Sequence, residues 1–273
     1  MCELFAMSSR VPADVNFSLA EFSKHGGMTG PHKDGWGIAY YLDGDVNSVR
    51  QADSAANSDW VQFIRQHHFQ ATTIISHIRY ATQGDLVLKN TQPFHREMGG
   101  KIHTFVHNGD LGDLEKRYPT GPAHRYQPVG DTDSERAFCV LMHRLEPVWL
   151  DVHRVGIPAL EKRYDVLEAF ADEFRSYGSL NFIYSDGVTL FIHSHKRRLP
   201  DDPVFRFPGM HILTRGCEVP GKDVSTPGLE ISQWQNVVLA ASTPLTDELW
   251  FPLEEGELLA VEGGEILFCR HRL

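Results

Sequence analysis

The chain opens Met1-Cys2-Glu3-Leu4-Phe5-Ala6-Met7. From Leu4 onward this run is apolar, which predicts a short buried strand where termini ordinarily fray. Cys2 leads that strand. Working outward, Trp36 to Leu42 reads as a second strand and Asp43-Gly44-Asp45 as a hairpin turn. Thr72 to Ile78 (TTIISHI) is rich in β-branched residues and predicts a buried strand. His103 to His107 reads as another, ended by the turn dipeptide Asn108-Gly109. Ser18 to His25 predicts a short helix stopped by Gly26-Gly27, and residues 58–68 predict a second.

The middle of the chain changes period. Asp131 opens a helix to about Leu145, with Thr132 and Glu135 spaced as a capping box and Ala137, Leu141 and Leu145 on one face. Another helix runs from about Pro158 to Tyr177. Leu180–Tyr184 and Val188–His193 predict a hairpin around Ser185-Asp186-Gly187, and strands follow near Val237–Ala241 and Ile266–Arg270. Residues 199–228 carry many Pro and Gly and read as a long surface excursion. Strands, then two helices, then strands predict an α+β fold with antiparallel sheets. With no internal repeat or low-complexity linker, one domain over residues 1–273 is expected.

Composition narrows the class. Of 273 residues, 41% are hydrophobic and 23% charged, which excludes a fibrous or disordered chain. Lys plus Arg is 26 against 36 for Asp plus Glu, a net charge of −10, so a nucleic-acid partner is not expected. The nearest basic run, His195-Lys196-Arg197-Arg198, reads as a solvated turn. No apolar run approaches the length of a membrane span, and the start lacks the basic and apolar regions of a signal peptide. The four cysteines are scattered without a CxxC pair, which fits a reducing compartment; a cytoplasmic protein is expected.

Cys2 carries the chemistry. Loss of the initiator Met1 would leave one residue with both a thiol and a free α-amine, the latter with a pKa near 8. The amine can then take the thiol proton, so nucleophile and base share a residue. Three further segments carry candidate binding groups. Arg79, in His77–Gly84 just past a predicted strand, can grip a carboxylate in bidentate fashion. Asn108 offers an amide and Gly109 an approachable backbone N–H, donors suited to an oxyanion hole. Asp133, in a helix first turn, can bind an ammonium. Taken singly, each has an ordinary structural reading: strand start, ion pair, Asn-Gly turn, helix-dipole partner.

Together, and in order, these segments resemble the class II glutamine amidotransferases of the amino-terminal-nucleophile hydrolase superfamily. The resemblance runs through Met1-Cys2, Lys33-Asp34-Gly35-Trp36-Gly37-Ile38-Ala39, His77-Ile78-Arg79-Tyr80-Ala81-Thr82-Gln83-Gly84, Asn90-Thr91-Gln92-Pro93-Phe94, His107-Asn108-Gly109 and Thr132-Asp133-Ser134-Glu135. It is strongest to small stand-alone bacterial members without a fused synthase. Two departures stand out: Gln92 where many relatives carry His, and Asp110-Leu111-Gly112-Asp113 after the Asn-Gly pair.

The resemblance implies a four-layer αββα sandwich. It implies that Cys2 attacks the γ-amide of glutamine, that Arg79 with Thr82 holds the substrate α-carboxylate, and that Asp133 holds its α-ammonium. Asn108 and Gly109 would bind the oxyanion, without metal or organic cofactor. Ammonia would pass to a separate synthase subunit. The alternative is a stand-alone amidohydrolase of a γ-glutamyl conjugate, and a non-catalytic γ-glutamyl-binding module is a further rival. A Cys–His hydrolase built on Cys139 or Cys217 is a third, although Cys139 falls on an apolar helix face. Fifteen histidines are present, but no HExxH or His–carboxylate set has metal-ligand spacing.

Overall fold

Leu4 and Ala6 point to one side of the first strand, Phe5 and Met7 to the other, and all four are fully buried. A strand buried on both faces must lie inside a stack of layers. A computed structural model describes residues 1–14, 16–119, 121, 124–151, 156–198, 204–216, 224–226, 229–231 and 235–269, with backbone alone at 17, 224–226 and 229–231.

In chain order the strands are β1 (Glu3–Ala13), β2 (Trp36–Leu42), β3 (Asp45–Gln51), β4 (Ala71–Ile78), β5 (Phe94–Met98), β6 (Lys101–Leu111), β7 (Gly178–Ser185), β8 (Leu190–His193) and β9 (Arg197–Arg198). They continue as β10 (Phe205–Arg206), β11 (His211–Gly216), β12 (Val224–Thr226), β13 (Leu229–Ile231), β14 (Asn236–Ala241), β15 (Phe251–Pro252), β16 (Leu258–Glu262) and β17 (Glu265–Cys269). The helices are α1 (Asn16–His25), α2 (Asp59–His67), α3 (Leu114–Arg117), α4 (Asp133–Leu150) and α5 (Leu160–Phe174).

Two large antiparallel sheets result. One has the order β15-β11-β14-β1-β4-β2-β3 and the other β17-β16-β8-β7-β6-β5. Between them lie Leu4, Ala6, Ile75, Val106, Ile183, Ile192, Val238 and Leu259, drawn from both sheets. The far face of the first sheet, through Phe5, Met7, Ile38 and Ile74, packs on Leu19 and Phe22 of α1 and Val61 and Ile64 of α2. The far face of the second, through Phe105, Phe182 and Phe191, packs on Phe138 and Leu141 of α4 and Leu167 and Phe170 of α5. This is the expected αββα sandwich.

Most predicted elements lie within a residue or two of their places, and the exceptions are instructive. β6 does not end at Asn108-Gly109; it runs on to Leu111, with Asn108 opposite Asn181 and Gly109 opposite Leu180 on β7. Within the expected surface excursion, much of which falls outside the described residues, β11 is an inner strand paired to β14 with Ile212 and Leu213 buried. Arg197, read as part of a solvated turn, is 6% exposed. Thr132 accepts from the Glu135 N–H as expected, but the Glu135 carboxylate reaches back to the Gly130 N–H. Cys139 is core, and Cys217 lies outside the described residues. Among the described residues no helix is long and apolar enough to cross a membrane.

The second sheet is fastened to its helices by aromatic stacking. Phe105 stacks on Phe138 at 5.3 Å between centroids and on Phe182 at 5.6 Å. Truncation to Phe105→Ala should cost about 3–5 kcal/mol of stability in urea unfolding, since the ring is fully enclosed and the site cannot collapse.

Candidate active site

The site forms where β1 begins and β6 and β4 end. Cys2 is held from three sides. The Tyr80 N–H donates to its Sγ at 3.3 Å, and the thiol donates back to the Tyr80 carbonyl at 3.5 Å. The Asn108 side-chain amide donates to the Cys2 carbonyl, so an amide from one sheet binds a peptide of the other. One step along, the Ser242 N–H donates to the Leu4 carbonyl and the Leu4 N–H to Ser242 Oγ, each at 3.0 Å. Burial pushes the Cys2 thiol above its ordinary range, opposed by the hydrogen bond from Tyr80 and by the Arg79 cation. With Met1 attached, the Cys2 nitrogen is a peptide N–H with no basic lone pair.

Arg79 lies at the end of β4 and is 4% exposed. Its guanidinium donates to the carbonyls of Gln83 at 2.9 Å, Gly84 at 3.1 Å and Asp85 at 2.9 Å, curling the loop after the strand around itself. Asp34 fixes the same loop by accepting from the Ala81 N–H at 2.8 Å. Asn90 ties its far end to the next element, donating to the Asp85 carbonyl and accepting from the Asp131 N–H. Gln83 closes the loop across to β6 by donating to Asp110 at 2.7 Å. Thr82 sits exposed on the same loop as the carbonyls that hold Arg79.

Asp133 is the first residue of α4, and its carboxylate accepts from the Leu111 N–H and the Ser134 N–H, each at 2.7 Å. Burial pushes its carboxyl above the ordinary range. His107 bonds Ser134 Oγ at 2.9 Å, and burial holds its imidazole below the ordinary range. The helix start is braced on β5 by the ion pair of half-buried Arg96 with buried Glu135 at 2.7 Å. Beside Asp133 opens a cleft of about 240 Å³ that reaches Gln83, Leu111, Lys116 and Arg136. The Arg79 cation and the Asp133 anion both lie close enough to act on the Cys2 thiol through their fields.

Gly109 has a steric reason. A Cβ there would collide with the Ser179 carbonyl and the His107 ring. Among residues that sequence reasoning did not single out for the site, Gln92 carries most weight. It accepts from the His107 N–H at 2.6 Å and donates to the His107 carbonyl at 3.2 Å. It therefore fixes the backbone immediately before Asn108. Behind Cys2 a second group goes unannounced by any motif: Glu3, His25, His32 and Arg197.

Two sheets of this order, with a cysteine at the head of a central strand, have the fold of amino-terminal-nucleophile hydrolases. The comparisons narrow the class. The sequence model described as "Glutamine amidotransferases class-II" matches residues 1–272. The "Putative glutamine amidotransferase YafJ" of Escherichia coli (strain K12) is 34% identical over 264 residues, 94% of this chain and 96% of that protein. A crystal structure described as a predicted glutamine amidotransferase from Pseudomonas aeruginosa PA01 superposes with a TM-score of 0.69 at 32% identity, covering 98% of this chain and 100% of the other. The glutamine phosphoribosylpyrophosphate amidotransferase of B. subtilis shares the fold at a TM-score of 0.56 and 15% identity, over 97% of this chain and 48% of its own. The chain belongs to the class II glutamine amidotransferase family.

The Gln92 clamp predicts its own loss. Gln92→Leu leaves a buried N–H and C=O of His107 unpaired and should lower stability by about 1–3 kcal/mol in thermal or urea unfolding. An unchanged midpoint would remove Gln92 from the site's scaffold.

Proposed function

We propose that the chain, once relieved of Met1, hydrolyses the γ-amide of glutamine with Cys2 as nucleophile. What supports this reading is that Cys2, its carbonyl held by the Asn108 amide, lies within electrostatic reach of both Arg79 and Asp133. A free amino acid has an anion and a cation on one carbon, and Arg79 and Asp133 offer the complementary pair.

The steps balance as follows. The α-amine of Cys2 takes the thiol proton, and the thiolate attacks the amide carbon. The oxyanion is bound by the second N–H of the Asn108 amide and by the Gly109 N–H. The carbon–nitrogen bond breaks, and ammonia leaves with the proton from the amine. Water, with the amine as base, then cleaves the thioester to glutamate and restores the thiol. A buried thiol that resists ionisation makes an adjacent base necessary, which supports the dual role of Cys2. The ammonia would serve a separate acceptor-bearing subunit in a cytoplasmic setting.

Protein of verified mass, lacking Met1, should release glutamate from glutamine, and Cys2→Ala should not. Retained activity in Cys2→Ala would sink the reading. Release only from γ-glutamyl amides other than glutamine would shift it to an amidohydrolase of γ-glutamyl conjugates. Asn108→Ala should lower kcat by about 10²–10³.

Asp133 adds a pH signature. Its carboxyl sits above the ordinary range, so it takes up a proton as the pH falls through that raised value. The ammonium then loses its partner. KM for glutamine should climb on the acid side more steeply than kcat falls, and Asp133→Asn should show the high KM at every pH.

A further inference from the structure

We propose that His32 is a positioning residue that orients the α-amine of mature Cys2 toward its own thiol; this rests on the Cys2 reading above. His32 is 3% exposed, and its Nε2 donates to the Met1 carbonyl at 2.7 Å. That carbonyl belongs to the peptide whose cleavage creates the amine. The oxygen and nitrogen of one peptide are only about 2.3 Å apart, so the ring lies within about 5 Å of the future amine. The same ring packs edge-on against Tyr80, 5.8 Å between centroids at 74°. Tyr80 is the residue whose N–H binds the Cys2 sulfur. One imidazole is therefore fixed with respect to both functional groups of Cys2.

The other ring nitrogen explains what excision changes. His32 Nδ1 makes no well-formed hydrogen bond; the His25 backbone acts on the same ring, and Glu3 Oε1 stands 4.0 Å away. While Met1 is present, its carbonyl requires the proton on Nε2. Without Met1 that acceptor is gone, and the neutral ring can carry its proton on Nδ1, facing Glu3. Nε2 then accepts one amine N–H and turns the amine lone pair toward Sγ. No proton passes through His32; the thiol proton moves to the amine and from there to ammonia. Glu3 is held by His25 at 2.6 Å and by Arg197 at 3.7 Å. Met1 occupies the space in front of the ring, 9% exposed, its Sδ accepting from the Arg198 N–H at 2.8 Å. The charged and titratable groups facing this pair are Glu3, His25, His77, Arg197, Arg198, Arg79 and Asp133. Burial favours a neutral His32.

The test uses full-length protein, Met1 removed and verified by intact mass, as wild type, His32→Leu, His32→Gln and Cys2→Ala. Two readouts are taken: the pH dependence of Cys2 alkylation by iodoacetamide, and kcat and KM for glutamate release. His32→Leu should slow alkylation near pH 7 and lower kcat by about ten- to a hundredfold with KM within about twofold. Half-maximal alkylation should move to higher pH, because the ammonium–thiolate pair loses an acceptor. His32→Gln, whose amide oxygen can accept the same N–H, should recover part of both. A wild-type alkylation profile in His32→Leu, or a loss confined to KM, would overturn the proposal. If His32→Leu fails to fold, His32→Phe, which keeps a ring but offers no acceptor, takes its place: slowed alkylation near pH 7 supports the proposal, and a wild-type profile with unchanged kcat overturns it. The alkylation profile judges His32 whether or not glutamine is the substrate, while glutamate release from Cys2→Ala judges the underlying reading.

Discussion

The amide of Asn108 on the Cys2 carbonyl joins the two sheets at the point where the chain begins. A terminal residue is the most mobile part of an ordinary fold, and fixing one residue costs about 1–2 kcal/mol of conformational entropy. Here that cost is offset by contacts from four directions: Asn108 on the carbonyl, Tyr80 on the sulfur, His32 on the preceding carbonyl and Ser242 on Leu4. These partners come from β6, the loop after β4, the loop before β2 and the end of β14. They meet only because the inter-sheet core of Leu4, Ile75, Val106 and Ile183 sets how the sheets stack. The layer packing thus positions Cys2 as well as stabilising the fold.

The electrostatics follow from the same placement. Arg79 is buried among backbone carbonyls, and Asp133 accepts backbone N–H groups at a helix start, so each charge is solvated by dipoles that cannot swing away. Fixed dipoles inside a poorly polarisable layer act more strongly than water would on a small zwitterion. The thiol meets the same low polarisability with a single backbone N–H, that of Tyr80, donating to it, and burial pushes it above its ordinary range. On the proposed reading, substrate recognition by Arg79 and Asp133 and the need of Cys2 for a base would be two effects of one burial.

Much of this could be read from the sequence, and particular residues show the limit. The strand from Leu4, the β-branched run before Arg79 and the Thr132 cap are local signals, and local signals survive folding. Cys2, Arg79 and Asp133 also do, because they stand at element ends. Asn108-Gly109 misled because a turn and a tight strand crossing both call for glycine. The deciding fact, a Ser179 carbonyl against the Cα, comes from about seventy residues downstream. Likewise β11 lies in a Pro- and Gly-rich stretch, and only its pairing with β14 makes it an inner strand. Gln92 signals nothing in isolation, since its role is to pair with a backbone that arrives from β6.

Arg197 was misread for a deeper reason. A basic run is solvated by default, because an unpaired buried cation is very costly. Burial becomes tolerable once Glu3 and the Ser242 carbonyl stand beside it. Yet removing a buried charge network in favour of packed apolar residues is commonly neutral or stabilising. Glu3, His25 and Arg197 therefore gain little for the fold by being charged there. Of the group, His32 alone reaches the first peptide of the chain directly, through the Met1 carbonyl, and Glu3 links His25, His32 and Arg197 behind it.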